Sequence, residues 1–214
     1  MPGPLSEAED IRMTRIVMYA ASWDIVGVAR TYADYLQGRD LSQPSQVYLA
    51  IPELSGKGPA VGYDGRGVMS FQILNRDQET GAMIVLAMMY DCAAPPHLHK
   101  SGEDTISLSG RLAEHEWTRG SHVVTKTPEG LSRTVWAGTP TFHQPFTDGT
   151  MPWVGIYYQQ GGLVLFDRMK RSELQQVLGL LDAVPANSLT DWSDERLREW
   201  ISTECDLMMP QKSA

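Results

Sequence analysis

The chain reads as an all-β sandwich or barrel with helices appended at both ends. Two observations point there. Many short strand-like runs are separated by regular turn signals with no βαβ alternation, and helical periodicity is confined to the termini. At 214 residues the chain is one domain with appendages, and 42% hydrophobic residues suffice for a packed core. We divide it into an N-terminal arm over 1–66 with one helix and a loop, a barrel over 67–168, and C-terminal helices over 169–214.

Residues 1–10 read as a flexible polar lead. Arg15 to Ala20 is short and apolar, compatible with a strand or the start of a helix. From Ser22, apolar residues Ile25, Val28, Tyr32, Tyr35 and Leu36 recur at helical spacing, with Ser22 as the expected N-cap, Asp24 in the first turn and Gly38 just past the end. Residues 52–67, rich in Gly, Pro and polar side chains, read as a long surface loop. From Val68 the period becomes two: Met69, Phe71 and Ile73 alternate with Ser70 and Gln72, a half-buried strand. Asn75 to Gly81 is a turn. Ala82 to Tyr90 is apolar throughout, as expected of a strand buried on both faces.

That strand delivers the chain to Pro95-Pro96-His97-Leu98-His99-Lys100-Ser101-Gly102-Glu103. Side chains at i and i+2 of an extended segment share a face, so His97 and His99 converge, and the intervening turn returns Glu103 towards them. Two imidazoles and a carboxylate suit a divalent first-row metal. If Glu103 points inward along the next strand, so do Thr105 and Ser107, as polar substrate contacts. Ile106 and Leu108 then pack against another layer or a second subunit. Further strands are expected at Leu112–Trp117, Thr134–Trp136, Trp153–Gln159 and Leu163–Phe166, with an extended hairpin or loop over 118–132 and a turn at Asp148-Gly149. Beyond Asp167, the stripes Leu174, Val177, Leu178, Leu181 and Leu197, Trp200, Ile201 read as helices covering a barrel face or an interface.

The spacing His-x-His, three residues, Glu103, six residues, Gly110 resembles the first motif of the cupins, matching at every signature position. The family's second motif contributes one more histidine. Its counterpart here is His143, within Ala137-Gly138-Thr139-Pro140-Thr141-Phe142-His143-Gln144-Pro145, where Gly138 and Pro140 stand exchanged and Thr147 replaces the closing Asn. Within the cupins, Gly67 to Asp167 is similar to the small dioxygenases that cleave β-diketones and hydroxyacetophenones. The segment Gly110-Arg111-Leu112-Ala113-Glu114-His115-Glu116-Trp117 resembles their Glu-His-Asp-Trp strand. The resemblance implies a jelly-roll barrel and a mononuclear iron(II) centre on His97, His99 and His143. The expected activity is O2-dependent cleavage of a C–C bond in a small dicarbonyl or hydroxyketone, aromatic ones included. Glu103 departs from the three-histidine type. It is either a fourth ligand, as in cupins resembling quercetinases or acireductone dioxygenases, or an acid/base group. Trp136 and Phe142, beside the second motif, are expected near the substrate.

The same ligands suit Zn, Mn or Ni, so a non-redox isomerase, cyclase or lyase acting through an enolate stands as an alternative. A metal-binding regulatory cupin ranks behind it, because residues 1–91 contain neither His nor Cys for an accessory zinc module. His115 reads as a solvated strand residue, His122 as a weaker rival to His143, and Cys92 as a buried, inert thiol. A net charge of −8 argues against nucleic acid or an anionic membrane as partner, and no apolar run reaches the ~20 residues that span a bilayer. With no apolar signal core at the N-terminus and two cysteines, a cytoplasmic homodimer taking a small molecule and O2 is expected.

Overall fold

A computed structural model describes residues 4–55, 58–99, 102–118, 121–136, 141–160 and 163–165. The expected C-terminal helices, with Leu174, Leu181 and Trp200, lie outside the described residues, as do Lys100 and Ser101 of the first motif. The described strands are β1 Val68–Arg76, β2 Met83–Tyr90, β3 His97–His99, β4 Glu103–Ser109, β5 Ala113–Thr118, β6 Ser121–Lys126, β7 Ser132–Trp136, β8 Thr141–Phe146, β9 Trp153–Gln159 and β10 Leu163–Leu165. They form two five-stranded sheets, β1-β2-β9-β4-β7 and β10-β3-β8-β5-β6. Every strand pairing is antiparallel. The all-β expectation holds. The stretch 118–132, expected as an extended hairpin or loop, contains the whole of strand β6.

β2 shows how one sequence serves two layers. Its residues Ile84, Leu86 and Met88 point to one face and join a core with Ile106, Val154 and Ile156 of the neighbouring strands. Helical residues Val28, Tyr32, Tyr35, Leu36 and Val47 complete that core. Residues Met83, Val85 and Met89 point to the other face, into the space between the sheets. A strand with protein on both sides needs no polar alternation. The layer over Ile106 and Leu108 is therefore the chain's own N-terminal helices.

Those helices are α1 Glu7–Ala21, α2 Ile25–Leu36, α3 Pro44–Ala50 and α4 Pro52–Ser55. The arm thus carries four helices where the sequence predicts one helix and a loop. The expected flexible lead holds the start of α1, nucleated by a capping box: the Ser6 hydroxyl accepts from the Glu9 N–H at 3.3 Å, and the Glu9 carboxylate accepts from the Ser6 N–H at 3.0 Å. α2 begins three residues later than Ser22. Ser22 closes α1 instead, Trp23 takes a left-handed φ of 63°, and Asp24 is the N-cap, accepting from the Gly27 N–H at 2.9 Å. Pro44 and Pro52 each open a short helix, where a missing N–H costs nothing.

The wall between the sheets has one unusually flat place. A Cβ on Gly155 would lie 2.2 Å from the Trp153 ring, so the indole lies directly over this backbone. Its Nε1–H reaches across to donate to Ser107 Oγ at 2.9 Å. Trp153 is 2% exposed and lines the interior cavity.

Candidate metal centre

β3 is three residues long, and its two histidines point inward while Leu98 is buried on the other side. Its pairing with β8 sets His97 directly opposite His143. Glu103 comes from the facing sheet, as the first residue of β4. The four side chains meet: their ligand atoms all lie within 4.8 Å of one another. His97 Nε2 and His143 Nε2 are 2.6 Å apart, His99 Nε2 is 2.6 Å from Glu103 Oε2, and His143 Nε2 is 3.7 Å from the same oxygen. His99, Glu103 and His143 are all buried.

The hydrogen bonds behind the ligand atoms fix what each imidazole offers. His97 Nδ1 donates to the Pro95 carbonyl at 2.8 Å, which can only accept, so a neutral His97 turns a bare lone pair inward at Nε2. His143 Nδ1 donates to Glu114 Oε2 at 3.1 Å, with the same consequence. Two nitrogens with inward lone pairs 2.6 Å apart need a cation or a shared proton between them. His99 Nδ1 is buried without a hydrogen-bond partner among the described residues, while its Nε2 meets Glu103 Oε2 at 2.6 Å, two ligand atoms that one cation would share. The donor set therefore fits a divalent ion, held by the three Nε2 atoms and Glu103 Oε2.

The electrostatics differ among the ligands. Burial lowers the pKa of His97 well below the usual histidine value, and that of His99 too. Burial alone would lower His143 as well, but the Glu114 carboxylate outweighs it and the shift is upward. Glu103 is pushed up by burial and pulled down harder by His99 and His143, so it stays ionised.

Glu114 is the residue that sequence reading passed over. It is 2% exposed and belongs to β5, where Glu116 pairs with His143. The available signal was period two: Glu114 shares the inward face with Leu112, and both line the cavity. It fixes the His143 tautomer and ring, as carboxylates behind metal-binding imidazoles do. Replacing Glu114 with Gln is expected to weaken metal binding about 10- to 100-fold, read by competition with a chromogenic chelator. Wild-type affinity in that variant would remove Glu114 from the site.

The other expected residues separate. Thr105 lines the cavity, and its hydroxyl donates to Glu103 Oε1 at 2.6 Å. Ser107 is inward but not in the cavity wall, because its hydroxyl is occupied by the Trp153 indole; it holds a wall residue in place. The side chains of Trp136, Phe142 and His122 lie outside the described residues. His115 is half-buried on the opposite face of β5 and stacks on Phe146 at 4.7 Å, away from the ligand group. Cys92 is buried, with burial raising its pKa, and its Sγ donates to the Val68 carbonyl. The aromatics found in the wall are Phe71, Trp153 and Tyr157, bounding a cavity of about 380 Å³.

Two antiparallel five-stranded sheets enclose this cavity, with a group of three histidines and one glutamate contributed by β3, β4 and β8. The fold is that of a cupin. No family model matches the chain, and no curated protein does. Solved structures do. A cupin-like protein from Thermotoga maritima aligns with TM-score 0.39 and 13% identity over 52% of this chain and 85% of its own. A protein from Shewanella oneidensis aligns with TM-score 0.43 and 11% identity over 63% and 92%. A recombinant oxalate oxidase in complex with glycolate aligns with TM-score 0.41 and 14% identity over 73% and 82%. Among the described residues, no helix is long and apolar enough to cross a membrane.

Proposed function

We propose that this cupin is a metal-dependent oxygenase acting on a small chelating carbonyl compound, a dicarbonyl or hydroxyketone, with iron(II) as its metal and O2 as co-substrate. One observation carries the reading: three imidazoles and a carboxylate converge at the polar end of an otherwise apolar cavity. Four protein ligands leave open positions on an octahedral ion, enough for a bidentate ligand. A bound ion would supply Lewis acidity to the substrate oxygens and, if redox-active, access to O2.

The chain's own residues supply the rest. Burial favours neutral His97 and His99, and Pro95 and Glu114 fix the orientation of the His97 and His143 rings. Glu103 is ionised, held by Thr105, and brings the negative charge that a divalent ion needs. Trp153, Val85 and Met89 exclude water from the space where the substrate lies. We read Glu103 as a ligand, since its Oε2 lies among the imidazole nitrogens. Glu103→Gln is accordingly expected to lose metal along with turnover; full metal content with lost turnover would assign it to proton transfer instead.

The test of the reading is elemental analysis of protein purified without chelator, then anaerobic Fe(II) loading and an oxygen-electrode trace with β-diketones and hydroxyketones. Iron near one ion per four-ligand group, with substrate-dependent O2 uptake, is the expected result. Tightly held zinc and no O2 uptake across the series would replace it with non-redox enolate chemistry.

A further inference from the structure

We infer that the substrate carries an uncharged, apolar arm, which leaves the metal-binding group along the inner faces of β9 and β2 and ends at Phe71 and Ile73 on the edge strand β1. The inference rests on the proposed chelation of a small carbonyl compound at the four-ligand group and names the rest of that molecule.

The sheet register sets out the path. Level with Glu103 lies Gln159, and next to Gln159 lies Met83. Level with Thr105 lie, in order, Tyr157, Val85 and Ile73. One row further, Gly155, Ala87 and Phe71 are in register, with the Trp153 indole lying over Gly155. The indole fills the place over Gly155, and Ala87 brings only a methyl group beside Phe71. One continuous cavity takes in His97, His99 and Glu103 at one end and Phe71 and Ile73 at the other. β1 lies three strand spacings from β4, on the order of 14 Å. A two-carbon chelate reaches only the first part of that distance.

The wall chemistry changes along the same path. Most of its described polar residues, His97, His99, Glu103, Thr105, Glu114 and Gln159, surround the ligand group, and Tyr157, level with Thr105, adds a phenol beside them. Met69, Met83 and Met89 contribute flexible, polarizable thioethers to the remainder, suited to an apolar ligand of irregular shape. The charged side chains in the described wall are carboxylates, which repel an anionic arm.

Phe71 and Ile73 mark the open end. They are 38% and 45% exposed, yet they sit on the same face of β1 as Met69, towards the cavity, while the opposite face carries Ser70 and Gln72. Large apolar side chains that face a cavity and still meet water are incompletely covered by protein. An apolar arm in the cavity covers them.

The experiment measures anaerobic binding to the zinc-loaded protein by calorimetry. The ligands are neutral hydroxyketones with alkyl arms of increasing length and the same arms ending in carboxylate. Affinity is expected to rise about fourfold per added methylene until the cavity is filled. The carboxylate-ended series is expected to bind about tenfold more weakly or worse. In Phe71→Ser/Ile73→Ser, whose side chains are too exposed to govern folding, the dependence on arm length should flatten while metal content is unchanged. A neutral apolar dye titrated into metal-free protein reads the same wall without any chelation, and should bind about tenfold more weakly to the double variant. Affinity independent of arm length, equal binding of carboxylate-ended arms, or unchanged dye binding in the double variant would each overturn the inference. Loss of O2 uptake with the arm dependence intact would instead defeat the oxygenase reading and leave the arm in place.

Discussion

His143→Ala is expected to give a folded chain that no longer retains metal at one ion per site, with an affinity loss larger than the ~10- to 100-fold of removing an outer partner. The geometry makes this histidine the hinge of the site. It faces His97 across the β3–β8 ladder at 2.6 Å between Nε2 atoms, and it is the link between the ligand group and Glu114. Its removal leaves His97, His99 and Glu103 as a weaker three-point set, and leaves Glu114 buried without its imidazole. Burial already pushes the Glu114 pKa up, so that carboxyl answers by taking a proton, and the fold survives. Circular dichroism and elemental analysis on the same sample check both halves. A folded His143→Ala protein with a full complement of metal would show that the ion sits on the first motif alone.

Gly110→Ala is expected to lower stability by about 3 kcal/mol or more, a fall in Tm of roughly 6–12 °C for a chain of this size. Gly110 has φ of 68°, a conformation in which a side chain is strained, at a cost of order 1–3 kcal/mol. A Cβ there would also lie 2.4 Å from the Pro152 carbonyl oxygen and 2.9 Å from Trp153 Cα, and backbone cannot swing aside as a side-chain end can. Gly130 is the internal control: its φ is 82°, but nothing lies within 4 Å of the place a methyl would take, so Gly130→Ala meets the conformational cost alone. Thermal melts of the two variants separate strain from collision. Equal melting temperatures would mean that the backbone at Pro152 yields. The glycine that closes the first motif thus sits against the strand that carries Trp153, which ties the spacing His97 to Gly110 to the cavity wall.

Three of the four ligands were legible because they are local, whereas His143 was reached only through the resemblance to a second motif. His97, His99, Glu103 and Gly110 lie within one strand-turn-strand unit, and period two alone says which way they face. Likewise β2 declared itself by an unbroken apolar run, and the inner and outer faces of β4 followed from Glu103. What stayed hidden depends on pairing between distant segments. Glu114 looked like one acid in a charged strand, and only the β5–β8 ladder shows it beside His143. The wall residues Trp153 and Tyr157 needed β9 to be placed between β2 and β4. Ser107 shows the converse: its direction was read correctly, but the Trp153 indole that occupies its hydroxyl comes from 46 residues away. α1 was read only in part, as a strand or the start of a helix over Arg15 to Ala20, for a different reason. It buries only Ile16 and Ala20 while Ile11, Val17 and Met18 meet water, so its apolar residues trace no stripe. Its start was nevertheless written in Ser6-x-x-Glu9, a capping box that a reading based on periodicity overlooks.

The helices on the outer face of the first sheet make the arm and the barrel a single cooperative unit. A protein trimmed to 67–168 would retain every ligand of the metal group, yet it would expose Ile84, Leu86, Met88, Ile106, Val154 and Ile156, all buried here, as one contiguous greasy plate. Such a minimal barrel is expected to aggregate on expression. In this chain the segment without a single chemical group at the site is a condition for the site's solubility.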